Sequence, residues 1–148
     1  MSYFIDSGLF IGAFYQEDQY HKKAKELLQE IYRHKCYTST YVLDEFISYL
    51  TGKARDRDRK IREKDYENIK LGENIIQDSQ IILLHADEAI VAEAKASYNR
   101  YWDMGLDLTD WTTTALMNRN KIKNLASFDS GFDRLNSIKE YSRIKRIY

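Results

Sequence analysis

The chain has 148 residues, of which 43% are hydrophobic and 31% charged, and its formal net charge is zero. This is an ordinary globular composition, long enough for one domain with its own core, and it excludes a disordered or fibrous chain. The single Cys36 excludes an internal disulfide framework and a thiolate zinc cluster, and no apolar run approaches the roughly 20 residues of a membrane span.

A soluble, cytoplasmic protein is therefore expected, and with no excess charge any nucleic-acid affinity must come from local basic patches. Residues 1–148 read as a single domain. Cys36 reads as a small buried apolar side chain.

In chain order, Ser2 to Ile5 form a short buried strand that ends abruptly in Asp6-Ser7-Gly8. Ser7 is a candidate cap for a helix over Leu9–Tyr15. Asp18 opens a second helix with Tyr20, Ala24, Leu27, Leu28 and Ile31 at helical spacing. Lys35 to Thr38 form a second strand, and Ser39 or Thr40 caps a third helix that Gly52 ends. One charged helix is predicted from Ala54 to Gln77. Its apolar positions are sparse, so it is expected to stand out as an exposed arm or lid over about residues 53–77. Ser79 to Leu84 form a third strand. Asp87 starts a fifth helix, Thr109 caps a sixth, Asn124 to Phe128 form a fourth strand ending in Asp129, and Arg143 to Ile147 form a last one.

Strands alternating with helices predict an α/β fold with a parallel sheet and right-handed crossovers. In such a sheet, an acid that follows an apolar strand lands at the carboxyl edge, where ligands bind. Asp6 and Asp129 both follow strands, while Asp110 and Glu45 sit in the first turns of helices. Strand ends and the following helix starts share one rim. Taken singly, each acid has a plain reading as a turn residue, a helix-dipole partner or a solvated charge. Four together repel one another and call for a counter-cation. All-oxygen ligation fits Mg²⁺ or Mn²⁺, one ion or two.

Phe4-Ile5-Asp6-Ser7, the Val-Leu-Asp-Glu-Phe run around Glu45, the Gly-Leu-Asp-Leu-Thr-Asp run ending at Asp110, and Ser-Phe-Asp-Ser-Gly-Phe-Asp from Ser127 resemble the PIN-domain family. The VapC-like toxin ribonucleases are the nearest kind. The four motifs occur in order and span nearly the whole chain. The resemblance implies a three-layer sandwich around a short parallel sheet, with about four to five strands and six to seven helices. It implies a Mg- or Mn-dependent endoribonuclease that hydrolyses RNA phosphodiester bonds with a metal-activated water. The catalytic and metal-holding acids would be Asp6, Glu45, Asp110 and Asp129. It also implies homodimerisation and a small antitoxin partner. Leu9, Phe10, Phe14 and Tyr15 are a candidate dimer face, with core packing as the plainer use.

Some residues depart from or surround the motifs. Trp111 follows Asp110 where many members carry a small residue, which predicts a narrower mouth. Ser7, Asp107, Thr113 and Asp133 are accessory candidates: an outer ligand or a water-positioning hydroxyl in the functional reading, a surface charge or helix packing in the plain one. Residues Lys53 to Lys64 carry seven basic and three acidic side chains, a local excess of four positive charges. Arg55, Arg57, Arg59, Lys60 and Arg62 are thus candidates for RNA binding, against the alternative of an ion-paired exposed helix. His21, His34 and His85 are scattered without ligand spacing.

Two other classes compete. A catalytically silent PIN scaffold could bind RNA or protein. A phosphotransfer enzyme would want a second Asp two residues after Asp6, where Gly8 stands.

Overall fold

The computed structural model describes residues 1–78 and 80–148. Five strands make one sheet: β1 (Ser2–Ile5), β2 (Lys35–Ser39), β3 (Ile81–Leu84), β4 (Asn124–Ala126) and β5 (Lys145–Ile147). Their order is β3-β2-β1-β4-β5, and every neighbouring pair is parallel. The central β1 is buried on both faces, with Phe4 and Ile5 fully inaccessible, as a strand covered by two helical layers must be. The predicted start of the third strand at Ser79 lies outside the described residues.

Six α-helices surround the sheet: α1 (Ser7–Phe14), α2 (His21–Ile31), α3 (Thr40–Ala54), α4 (Glu63–Ile76), α5 (Glu88–Arg100) and α6 (Leu108–Arg119). Two 3₁₀ segments, Trp102–Met104 and Ser130–Ser137, complete the described elements. Helices α1 to α4 pack on one another, and α5 packs on α6. Right-handed crossovers put these two groups on opposite faces, because the chain leaves β1 towards β3 and then returns past it to β4. The result is the expected three-layer α/β sandwich.

The charged stretch differs from its expectation. It is not one helix. Helix α3 runs through Gly52 to Ala54, and Arg55 then turns extended. Asp56 captures the backbone N–H groups of Asp58 and Lys60, each at 2.9 Å, which holds a turn in competition with helix. Arg55 and Ile61 close this loop as an isolated antiparallel bridge. Nor is α4 a free arm: Ile69, Gly72 and Ile76 are buried along one face. A Cβ on Gly72 would stand 2.4 Å from Phe46 Cζ, so the missing side chain is what lets α4 approach α3.

Other boundaries shift for local reasons. Helix α2 begins at His21, because the Asp18 carboxylate accepts the Tyr20 N–H at 2.8 Å in a turn before it. Leu9 and Phe10 are fully buried, so they belong to the core and not to a dimer face. Trp111 is also buried, lying between Tyr101 (ring centroids 5.6 Å apart) and Tyr141 (6.1 Å). It packs the interior beside α5 and does not narrow a mouth. Cys36 is buried, and burial pushes its thiol up to about 11. Among the described residues no helix is long and apolar enough to cross a membrane.

Candidate active site

The strand order reverses between β1 and β4, and the crevice outside the carboxyl ends of such a pair is where open α/β sheets take ligands. Four hydrogen bonds fix the end of β1 there. Thr38 Oγ1 donates to the Ile5 carbonyl at 2.9 Å from β2, and the Asp6 N–H donates to Ala126 O at 3.1 Å on β4. Asp6 is itself the cap of α1: its Oδ1 accepts the Ser7 N–H at 2.9 Å, a role that the sequence reading gave to Ser7. Asp6 Oδ2 accepts the Ser127 hydroxyl at 2.7 Å.

Ser127 was not anticipated as a site residue. It is a hydroxyl closing the strand parallel to β1, two residues before Asp129, and that placement is the signal that would have found it. Its Oγ also accepts the Asp129 N–H at 3.1 Å, and Asp129 Oδ1 accepts from the Gly131 N–H at 2.8 Å. Asp129 is exposed, whereas Asp6 is only 7% exposed.

Helix α6 brings Asp110 through a reciprocal capping box. Asp107, not Thr109, is the cap: its Oδ1 accepts the Asp110 N–H, and Asp110 Oδ2 accepts the Asp107 N–H, both at 2.9 Å. Glu45 sits half-buried in the second turn of α3. The Ser39 hydroxyl caps that helix by accepting from the Val42 N–H.

These acids act on one another. Burial pushes the Asp6 carboxyl up; the hydrogen bonds from Ser127 and Ser7 restrain it, and the charges of Asp129 and Asp107 raise it further. Burial also raises Glu45; the Ser7 hydroxyl offsets part of this, and Asp6, Asp107 and Asp44 add to it. Asp110 is pushed up to about 8, chiefly by burial; the Asp107 N–H opposes the shift, while the charges of Asp107 and Asp6 support it. The neighbouring charges that act most on these three carboxyls are all acidic. Asp6, Glu45, Asp107, Asp110 and Asp129 thus share one electrostatic neighbourhood.

Asp133 stands apart. Arg146 grips it with two bonds, Nε to Oδ1 at 2.9 Å and Nη2 to Oδ2 at 2.8 Å, and this holds its carboxyl below the usual range. Thr113 is buried, and its hydroxyl has no partner among the described residues. Thr112 and Thr114 donate to the Leu108 and Asp110 carbonyls at 2.8 Å. Arg55, Arg57, Arg59, Lys60 and Arg62 are exposed. They begin ten residues beyond Glu45, where α3 ends, roughly 15 Å along its axis.

The donor set is all oxygen, and burial together with neighbouring acids raises the proton affinity of Asp6, Glu45 and Asp110. That fits a hard divalent cation. Among the described residues, no three His, Cys, Asp or Glu side chains stand ready to grip an ion directly. A cation that keeps part of its water shell, held through water by some of the acids, is what suits them.

A family model for the PIN domain matches residues 3–138. Among solved structures, VapC20 of Mycobacterium tuberculosis, a toxin cleaving the sarcin-ricin loop, is similar at a TM-score of 0.75 and 20% identity, over 89% of this chain and 93% of that one. VapBC2 from Rickettsia felis, bound to a DNA fragment from its promoter, matches at 0.65 and 12% identity over 99% and 98% of the two chains. FitAcB from Neisseria gonorrhoeae matches at 0.61 and 12%, over 99% and 96%. Identities this low carry the fold alone. No curated protein matches this chain.

Proposed function

The chain belongs to the PIN-domain family, and from that premise we propose that it is a metal-dependent endoribonuclease, the toxin of a toxin–antitoxin pair. One observation carries this reading above the others. Carboxyls at the end of β1 and the starts of α3 and α6 bind protons more tightly than usual, chiefly through burial, and the charges of acidic neighbours, Asp129 beyond β4 among them, add to the effect. A cluster of that kind is costly unless it binds something positive.

Asp6, Glu45, Asp110 and Asp129 would hold one or two Mg²⁺ or Mn²⁺ ions. The ion would supply an activated water and neutralise charge at the scissile phosphate. Ser127 orients Asp6 and favours its charged form. Asp107 fixes the rotamer of Asp110 through the capping box. The Ser7 hydroxyl at the start of α1 favours the charged form of Glu45. The buried Thr113 hydroxyl is available to a water on the α6 side. No basic partner activates Ser7, so a serine nucleophile has no support. An antitoxin partner and a homodimer belong to the same reading.

The test is cleavage. The purified chain should cut RNA with Mn²⁺ or Mg²⁺, stop in a chelator, and lose activity in Asp6→Asn and Asp110→Asn. One observation favours a silent scaffold that binds RNA or protein. With side chains as they stand, no three acids among the described residues close around an ion. That alternative requires no cleavage under any divalent cation.

A further inference from the structure

Resting on the ribonuclease reading, we propose that Tyr20, Lys23, Phe128 and Tyr148 form a subsite that stacks a base and holds a phosphate of single-stranded RNA beside the cut bond. Phe128 lies in the chain between Ser127, which holds Asp6, and Asp129, so its backbone belongs to the loop that carries the acidic rim. Tyr20 lies face to face on it, with ring centroids 4.5 Å apart and planes 18° apart. Phe128 is the inner ring: its Cε2 is 3.7 Å from where a Cβ on Gly12 would stand. Tyr20 is the outer one and remains 39% exposed. The Lys23 ammonium sits 5.8 Å from the centroid of Phe128 and 5.8 Å from that of Tyr148, which is 42% exposed.

The chemistry of this surface differs from that of the rim it borders. The acids repel a polyanion, so the strand needs positive charge and apolar surface close by. Residues 21 to 25 at the start of α2 supply Lys22, Lys23 and Lys25, all exposed and, among the described residues, in no ion pair. Arg146 is adjacent, its Nη1 donating to Ser127 O at 3.4 Å, but its charge is already matched by Asp133. Lys23 is a cation beside the Phe128 ring that pairs with no carboxylate among the described residues. An open aromatic stack beside a cation is the pattern by which proteins hold single strands, because every base has a face to stack. A stacked protein side chain is the competing use of Tyr20; its exposed outer position and the unpaired lysines beside it favour the nucleic acid.

The experiment measures binding apart from cleavage. A short fluorescein-labelled, mixed-sequence single-stranded oligoribonucleotide is titrated with the protein in a chelator, across a range of salt. Tyr20→Ala should weaken binding about tenfold, and Tyr20→Phe should keep it. Lys23→Ala should lower the slope of log affinity against log salt by about 0.7. Tyr66→Ala, an exposed aromatic on α4, should bind as wild type does. Melting curves matching wild type show that each variant is folded. If Tyr20→Ala and Lys23→Ala bind like wild type, or Tyr66→Ala loses as much, the subsite is wrong. If wild type cuts RNA with Mn²⁺ while those two variants bind unchanged, the nuclease reading survives the loss of the subsite. If the variants behave as expected and no RNA is ever cut, the subsite stands and the nuclease reading falls.

Discussion

The Ser127 hydroxyl donates to Asp6 Oδ2 across 2.7 Å, joining the carboxyl ends of the two strands between which the sheet reverses its order. This bond favours the ionised form of an acid whose proton affinity burial raises. Ser127→Ala should therefore raise the Asp6 proton affinity further. The acid limb of the activity profile should move to higher pH, and Mn²⁺ affinity should fall about 10–100-fold, as for other residues that orient a ligand. A pH–rate profile and a Mn²⁺ titration of the variant check both.

The raised carboxyls also make stability depend on pH. Asp6, Glu45 and Asp110 bind protons more tightly folded than unfolded, so the folded state carries more protons between the two sets of values. Stability without metal should then fall as pH rises from the ordinary carboxylate value of 3.8 towards about 8 for Asp110. Denaturant midpoints in a chelator should be higher near pH 5 than near pH 8. Adding Mg²⁺ should restore the midpoint at pH 8.

Asp107 has two separable roles. Asp107→Asn keeps an acceptor for the Asp110 N–H but removes a neighbouring charge, so it should lower the Asp110 proton affinity and stabilise the metal-free protein at pH 8. Asp107→Ala removes that charge and the cap as well, so it should be about 1 kcal/mol less stable than Asp107→Asn at either pH. Thermal melts of both variants at two pH values distinguish these outcomes.

Gly72 tests the packing of α4. A methyl there meets Phe46 Cζ at 2.4 Å, so Gly72→Ala should destabilise the fold by about 1–3 kcal/mol through overpacking. Urea unfolding measures it. An unchanged midpoint would mean that α4 does not rest on α3.

The rim was legible in the sequence because its signals are local. An apolar run that stops at an acid marks a strand end, and Asp6 and Asp129 both read that way. The parallel sheet followed from alternation. The finer arrangement was not legible, since it depends on pairs far apart in the chain. Ser127 lies 121 residues from the acid it holds. The cap of α6 was misplaced at Thr109 because both residues are good caps, and only the reciprocal bond with Asp110 selects Asp107. Helix α4 looked exposed because its buried face consists of Ile69, Gly72 and Ile76, and a glycine that marks close contact does not register as apolar. The break at Arg55 was hidden by helix-forming charges; Asp56 overrides them by capturing two backbone N–H groups.

The central claim is that acids carried by separate elements share a divalent ion. Calorimetric titration of the purified protein with Mn²⁺ at neutral pH tests it most directly. One or two ions should bind, and Asp6→Asn and Asp110→Asn, each folded by its melting curve, should each weaken that binding at least about tenfold. Equal Mn²⁺ affinity in wild type and both variants would contradict it.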